Sequence, residues 1–201
     1  FNAVTGSVRV VGDLNGAAVA LQIIPTITDV QVQSVSGDGS TATVLISGLG
    51  FVEGANSEYR FGSALVLDAG VNTGPDVQGG YNADFTQYYA TGQVSVTVPL
   101  SDGAFGAINV KTAGGTSASY SVSLASITST ALSGTPADGA QASANAGQAV
   151  TLNGSGLSLA TDVLLRWTNM NGSPVMTRLS PTSAAADGTS ATLVLPKDAN
   201  G

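Results

Sequence analysis

The chain has 201 residues, enough for one large domain or two of about 100 residues each. It has no cysteine and no histidine, which excludes thiolate metal centres, disulfide frameworks, cysteine nucleophiles and His-based triads within the chain. Lys and Arg total 6 and Asp and Glu total 13, a formal charge of -7 with no basic run, so nucleic acid and anionic membranes are poor partners.

Charged residues make up 9%, against roughly 25% in ordinary globular domains, while the hydrophobic share is 43%, too high for a solvated tail. No run of about 18 apolar residues occurs, so no membrane span is expected. The chain starts at Phe1 rather than Met, which points to a processed product or a piece of a longer one. Abundant small polar residues, few charges and no cysteine resemble bacterial surface proteins, so an extracellular or cell-surface location is expected.

Apolar residues alternate in short runs from one end of the chain to the other. In order they are Val8 and Val10; Val19, Leu21 and Ile23; Val30 and Val32; Val44 and Ile46; Val94, Val96 and Val98; Ile108 and Val110; and Tyr120, Val122 and Leu124. The pattern resumes with Val150 and Leu152, Val163 and Leu165, and Leu193 and Leu195. A period of two marks strands with one buried face. Turn pairs such as Asp102-Gly103, Asp138-Gly139 and Asp187-Gly188 separate them. The predicted strands are 27–33, 41–47, 57–61, 93–98, 106–111 and 118–124, echoed after 149. The Ala-rich stretch 140–149 lacks an apolar stripe and reads as a loop. Glu53 and Glu58, the only glutamates, are expected in a turn.

Blocks of the chain repeat. Gly6-Ser-Val-Arg-Val10 matches Gly106-Ala-Ile-Asn-Val110, and Val19–Ile23 matches Tyr120–Leu124 with a one-residue slip. Each is followed by an Ile-Thr pair, Ile27-Thr28 and Ile127-Thr128. Val44–Phe51 matches Val150–Leu157, and Tyr59-Arg60-Phe61 matches Leu165-Arg166-Trp167, both at an offset of 106. Val94–Pro99 matches Ala191–Pro196 at 97, so the first copy carries an insertion near 71–90.

The segments Pro25-Thr-Ile27, Ile46-Ser-Gly48-Leu-Gly50-Phe51 and Tyr59-Arg-Phe61-Gly62 resemble the IPT/TIG immunoglobulin-like domain. The second copy keeps Leu152-Asn-Gly154-Ser-Gly156-Leu157 but has Trp167-Thr168 in place of Phe-Gly and no leading proline. The resemblance implies a seven-stranded sandwich acting as a spacer or interaction module, and it brings no catalytic residue.

The expected fold is therefore all-β: tandem Ig-like β-sandwiches with an N-terminal hairpin that completes another domain or subunit. Residues 1–24 form an orphan hairpin, 25–124 a complete sandwich with the insertion 71–90, and 125–201 a sandwich lacking its last hairpin. Donor residues Val8, Val10, Val19, Leu21 and Ile23 would then fill the core of a neighbour, with copies of the chain or flanking repeats joined head-to-tail. Two other readings stay open. In one the chain is a window on a longer array, and in the other the hairpin folds back on its own C-terminal domain.

The resulting functional expectation is a structural repeat unit of an extracellular bacterial filament, sheath or adhesin stalk, with no enzymatic activity and no cofactor. The alternative is a carbohydrate- or protein-binding module. It rests on Tyr81, Phe85, Tyr88 and Tyr89, four aromatics within nine residues of the insertion, which suit a glycan platform or a packed interface. Asp68, Asp76 and Asp84 are weak calcium candidates, because their spacing does not match an Asp-x-Asp-x-Asp-Gly loop. Arg60 and Arg166 occupy equivalent places beside an aromatic and suit a structural pairing with a carboxylate or stacking of the guanidinium on a ring, rather than substrate recognition. Lys111 falls in a predicted strand, but the equivalent position in the orphan hairpin is Val11, so nothing supports a repeated Lys–Asn crosslink.

Overall fold

A computed structural model of the chain describes residues 5–13, 15–70, 74–81, 88–100 and 106–199. Every regular element among them is a strand. No helix of the described residues is long and apolar enough to cross a membrane. The strands are β1 (Thr5–Val8), β2 (Val19–Gln22), β3 (Thr26–Val35), β4 (Thr41–Leu49), β5 (Ser57–Phe61), β6 (Ala64–Asp68), β7 (Asp76–Tyr81) and β8 (Tyr88–Pro99). They continue with β9 (Ile108–Thr112), β10 (Gly115–Thr116), β11 (Ser123–Thr128), β12 (Ala149–Ser155), β13 (Val163–Thr168), β14 (Pro174–Leu179), β15 (Ser183–Ala184) and β16 (Ser190–Val194).

The chain divides into two compact units, residues 1–34 with 41–120 and residues 35–40 with 121–201. The first unit holds two four-stranded sheets, in the orders β3-β4-β8-β7 and β10-β9-β5-β6, and a separate two-stranded sheet, β1-β2. This is an arrangement of β-sandwich type. Alternation decides which side chains enter its core. In β4 Ala42, Val44 and Ile46 are buried while the residues between them are not, and β8 buries Val94, Val96 and Val98 in the same way. From the other sheet come Tyr59, Phe61 and Val110. The second unit has the four-stranded sheet β11-β12-β16-β15 and the pair β13-β14. Its buried cluster is Leu152, Leu157 and Ala191, with Val163 and Ala184 packed against it.

The repeated Gly-x-Gly motif has a steric cause that differs between its two glycines. A side chain on Gly48 would overlap the Thr26 carbonyl of β3, and one on Gly154 would overlap the Ser123 carbonyl of β11. The second glycine turns the chain out of the strand with positive φ, 77° at Gly50 and 71° at Gly156. The two units thus use one device to bring an edge strand against the strand that follows it.

Several local expectations change. Glu58 lies within β5, opposite Lys111 of β9, rather than in a turn. The insertion is not a plain loop, for β7 and the start of β8 pair through Gly79↔Ala90, Gly80↔Tyr89 and Tyr81↔Tyr88. The segment 118–124 is not one strand. Tyr120 bridges to Ile108 in the first unit, and Ser123 already begins β11 in the second. Thr26 therefore corresponds to Ser123, three residues away from the alignment of the Ile-Thr pairs. The stretch 140–149 contains no helix, and only Ala149 belongs to a strand.

Gly154→Ala is expected to lower the stability of the second unit by about 1–3 kcal/mol, the range of an overpacked site. Gly139→Ala, where an added Cβ meets nothing within 4 Å, should be near neutral. Urea unfolding of both variants followed by circular dichroism checks this, and equal midpoints would contradict it.

Candidate assembly interface

The hairpin β1–β2 is an isolated ladder of four residue pairs, from Thr5↔Gln22 to Val8↔Val19. Its turn is tied locally. The Asp13 carboxylate accepts from the Asn15 amide, and Arg9 donates to the Gly16 carbonyl at 3.0 Å. Directly opposed residues share a face, so Val8, Val19 and Leu21 lie on one side and Ser7, Ala20 and Gln22 on the other. The apolar side is not covered. Val8 is 49% exposed, Val19 67% and Leu21 48%, and Val10 just beyond β1 is 71% exposed. Of the five expected donor residues only Ile23 is half-buried. Full burial of the other four would stabilise by roughly 6–12 kcal/mol, an upper bound. A two-stranded hairpin is by itself marginal in water.

The same hairpin occurs inside the first unit, with a partner. Ile108 and Tyr120 exchange backbone hydrogen bonds of 2.8 Å in both directions. At the repeat offsets of 100 and 101 this pair maps onto Val8↔Val19, the pair found in β1–β2. In the first unit the β9 strand of this hairpin lies on the edge of β5, through Tyr59↔Val110 and Phe61↔Ile108. Tyr59 and Val110 are both fully buried.

In the second unit the equivalent place is open. β13 corresponds to β5 and pairs with β14 through six residues, but among the described residues no strand lies on its other edge. Leu165 and Trp167, the counterparts of Tyr59 and Phe61, are only half-buried. The Trp167 indole donates to Thr177 Oγ1 at 2.9 Å, which fixes the ring across the β13–β14 pair. On the facing sheet every residue of β11 is exposed, Leu124 at 56% and Ile127 at 46%. Sheet order accounts for this. In the first unit β9 and β10 lie beyond β5, with Gly115 of β10 against Ile24 just before β3, whereas among the described residues of the second unit no strand lies beyond β13.

The other candidate residues are distributed differently. Tyr81, Tyr88 and Tyr89 fall on paired backbone at the β7–β8 end, but their side chains and the whole of Phe85 lie outside the described residues. Lys111 and Arg60 both reach Glu58, at 2.7 Å each, and hold its carboxyl below the usual range. Arg166 is exposed on β13.

Asp68 is fully buried, a fact its sequence position did not reveal. Its Oδ2 accepts from the Gly54 amide at 2.7 Å, and the Gly70 amide also donates to the carboxyl, so it pins two loops beside β5 and β6. Among the described residues, Asp68 Oδ1 and the Tyr59 hydroxyl have no hydrogen-bond partner. Burial pushes the pKa of both groups up, that of Asp68 against the lowering effect of its amide donors. Glu53, whose Oε2 accepts from the Val77 amide at 2.7 Å, is also raised by burial. Of the calcium candidates Asp84 lies outside the described residues, and among the described residues no group of three acidic side chains has metal-holding geometry.

These carboxyls set a pH dependence. Asp68 and Glu53 are raised from 3.8 and 4.5, so their contribution to stability is complete below those values and is lost as pH rises through the raised ones. Asp38 is lowered to about 2 by the Ser36 and Ser40 hydrogen bonds, and Glu58 and Asp187 are lowered too; their contributions are lost as the solution becomes strongly acid. Stability is expected to peak in mild acid and to decline as pH rises above the ordinary carboxyl range, through the raised values of Asp68 and Glu53. Asp68→Asn, which keeps an acceptor oxygen without the charge, should flatten that decline. Urea midpoints against pH for the two proteins check it, and parallel curves would contradict it.

No protein-family model matches the chain, and no curated protein matches it.

Proposed function

We propose that this chain is a structural subunit of an extracellular bacterial filament, sheath or adhesin stalk, built of two Ig-like sandwiches and assembled head-to-tail by strand complementation. The observation that carries the reading is a matched surplus and deficit. The β1–β2 hairpin has the register of the hairpin that completes the first unit, and its apolar side is bare. The second unit has an uncovered β13 edge and an exposed β11 face at the place that hairpin would fill.

Strand addition satisfies both sides at once, because main-chain hydrogen bonds complete the ladder while alternate side chains enter the core. The contact joins unlike surfaces, so repetition gives a ring or an open fibre rather than a closed dimer. The composition supports an extracellular structural role. With 9% charged residues and no cysteine or histidine, the chain has little reactive side-chain chemistry and much backbone ladder. The IPT/TIG resemblance of 25–124 agrees with such a role, and the reading assigns the chain no reaction.

Deleting residues 1–24 should abolish assembly. Adding a second copy of 1–24 after Gly201 should complete the second unit within the chain and give monomers. Sedimentation velocity and negative-stain micrographs distinguish these species, and normal assembly of the deletion variant would sink the proposal.

A further inference from the structure

We infer that the acceptor of the hairpin is the free edge of β13 on a second copy of this chain, with β1 antiparallel to it in one register, Val8 opposite Trp167 and Val10 opposite Leu165. This rests on the assembly reading above and specifies its partner surface. The register follows from the repeat. Tyr59↔Val110 and Phe61↔Ile108 are the observed pairs in the first unit. Moving β5 to β13 by 106 residues and β9 to the β1 segment by 100 gives Leu165↔Val10 and Trp167↔Val8.

The facing pattern agrees with burial. Tyr59, Phe61 and Val110 point inward and are buried, so Leu165, Trp167, Val8 and Val10 would point inward as well. A shift by one residue would instead drive Arg9 into the core. The second copy is favoured as occupant because the complementary strand is present in this sequence with the required hairpin register.

The hydrogen-bonding phase is also fixed. Val110 uses its amide toward Ser117 Oγ and its carbonyl toward the Ser117 amide, so its backbone faces β10 and not β5. Tyr59↔Val110 is therefore a non-hydrogen-bonded pair, with Cα atoms about 4.5 Å apart, and Leu165↔Val10 inherits that spacing. Such a separation is within reach of a disulfide. On the outer face the same register sets Arg9 opposite Arg166, where the first unit has Asn109 opposite Arg60. Like charges directly opposed weaken a ladder.

Two experiments read this register. Val10→Cys protein is mixed with tagged Leu165→Cys protein and mildly oxidised; the chain has no other cysteine. A mixed disulfide dimer is expected, and the Val11→Cys with Leu165→Cys mixture should give at least ten-fold less. Arg166→Glu, an exposed change that leaves the core intact, should tighten assembly by about two- to five-fold in sedimentation although it makes the chain more negative.

Assembly that proceeds while another pair crosslinks, and that Arg166→Glu weakens, would overturn the register but leave the assembly reading standing. Absence of both assembly and crosslinking would overturn the two together. A disulfide that forms only when both cysteines are on one chain, in a monomer, would show the hairpin completing its own second unit and overturn the second copy as partner. As a probe free of substitutions, a peptide of residues 4–24 added to the protein should shift the emission of Trp167, the single tryptophan, to shorter wavelength. An unchanged spectrum at saturating peptide would contradict the placement of Val8 against that ring.

Discussion

A sheet with one apolar face and one unpaired edge is incomplete in two ways, and the account of this protein depends on how that incompleteness is relieved. Apolar area left in water forfeits about 25 cal/mol per Å². A row of unpaired backbone groups on an edge invites another strand. Within the first unit β9 and β10 meet both needs. They bring Val110 into the core and add a ladder to β5. The second unit meets the first need in part, through Leu152, Leu157, Ala191, Val150 and Leu193, and leaves the β13 side open. The same physics that makes one unit self-sufficient is what the proposed assembly would supply to the other.

The strands of the sandwich cores were legible because alternation survives without knowledge of tertiary contacts. Val94, Val96 and Val98 announce a half-buried strand, and all three are in the core. The repeat was legible for a steric reason that the structure supplies. Gly48 and Gly154 lie where a neighbouring carbonyl leaves no space for a side chain, so the motif persists while the residues around it vary. Val8, Val19 and Leu21 were legible as an alternating pattern, and the repeat left their hairpin without a place in the first unit, in keeping with their exposure.

Other features depend on partners distant in sequence. Glu58 reads as a turn residue by its glycine-rich approach, yet the pairing of β5 with both β6 and β9 makes it a strand residue facing Lys111, 53 positions away. Asp68 reads only as a weak calcium candidate beside the insertion, yet it is buried and accepts from the Gly54 and Gly70 amides where two loops close. Tyr120 and Ser123 belong to different units, and a continuous apolar alternation through Tyr120, Val122 and Leu124 hides the change of sheet.

Amide hydrogen exchange across a concentration series tests the central claim most directly. The account predicts that protection of the Arg9 and Val11 amides of the donor segment and of the Leu164 and Arg166 amides of β13 rises together with protein concentration, while that of the β4–β8 ladder stays constant. Protection of the donor segment and β13 that is independent of concentration, or that rises in one without the other, would contradict it.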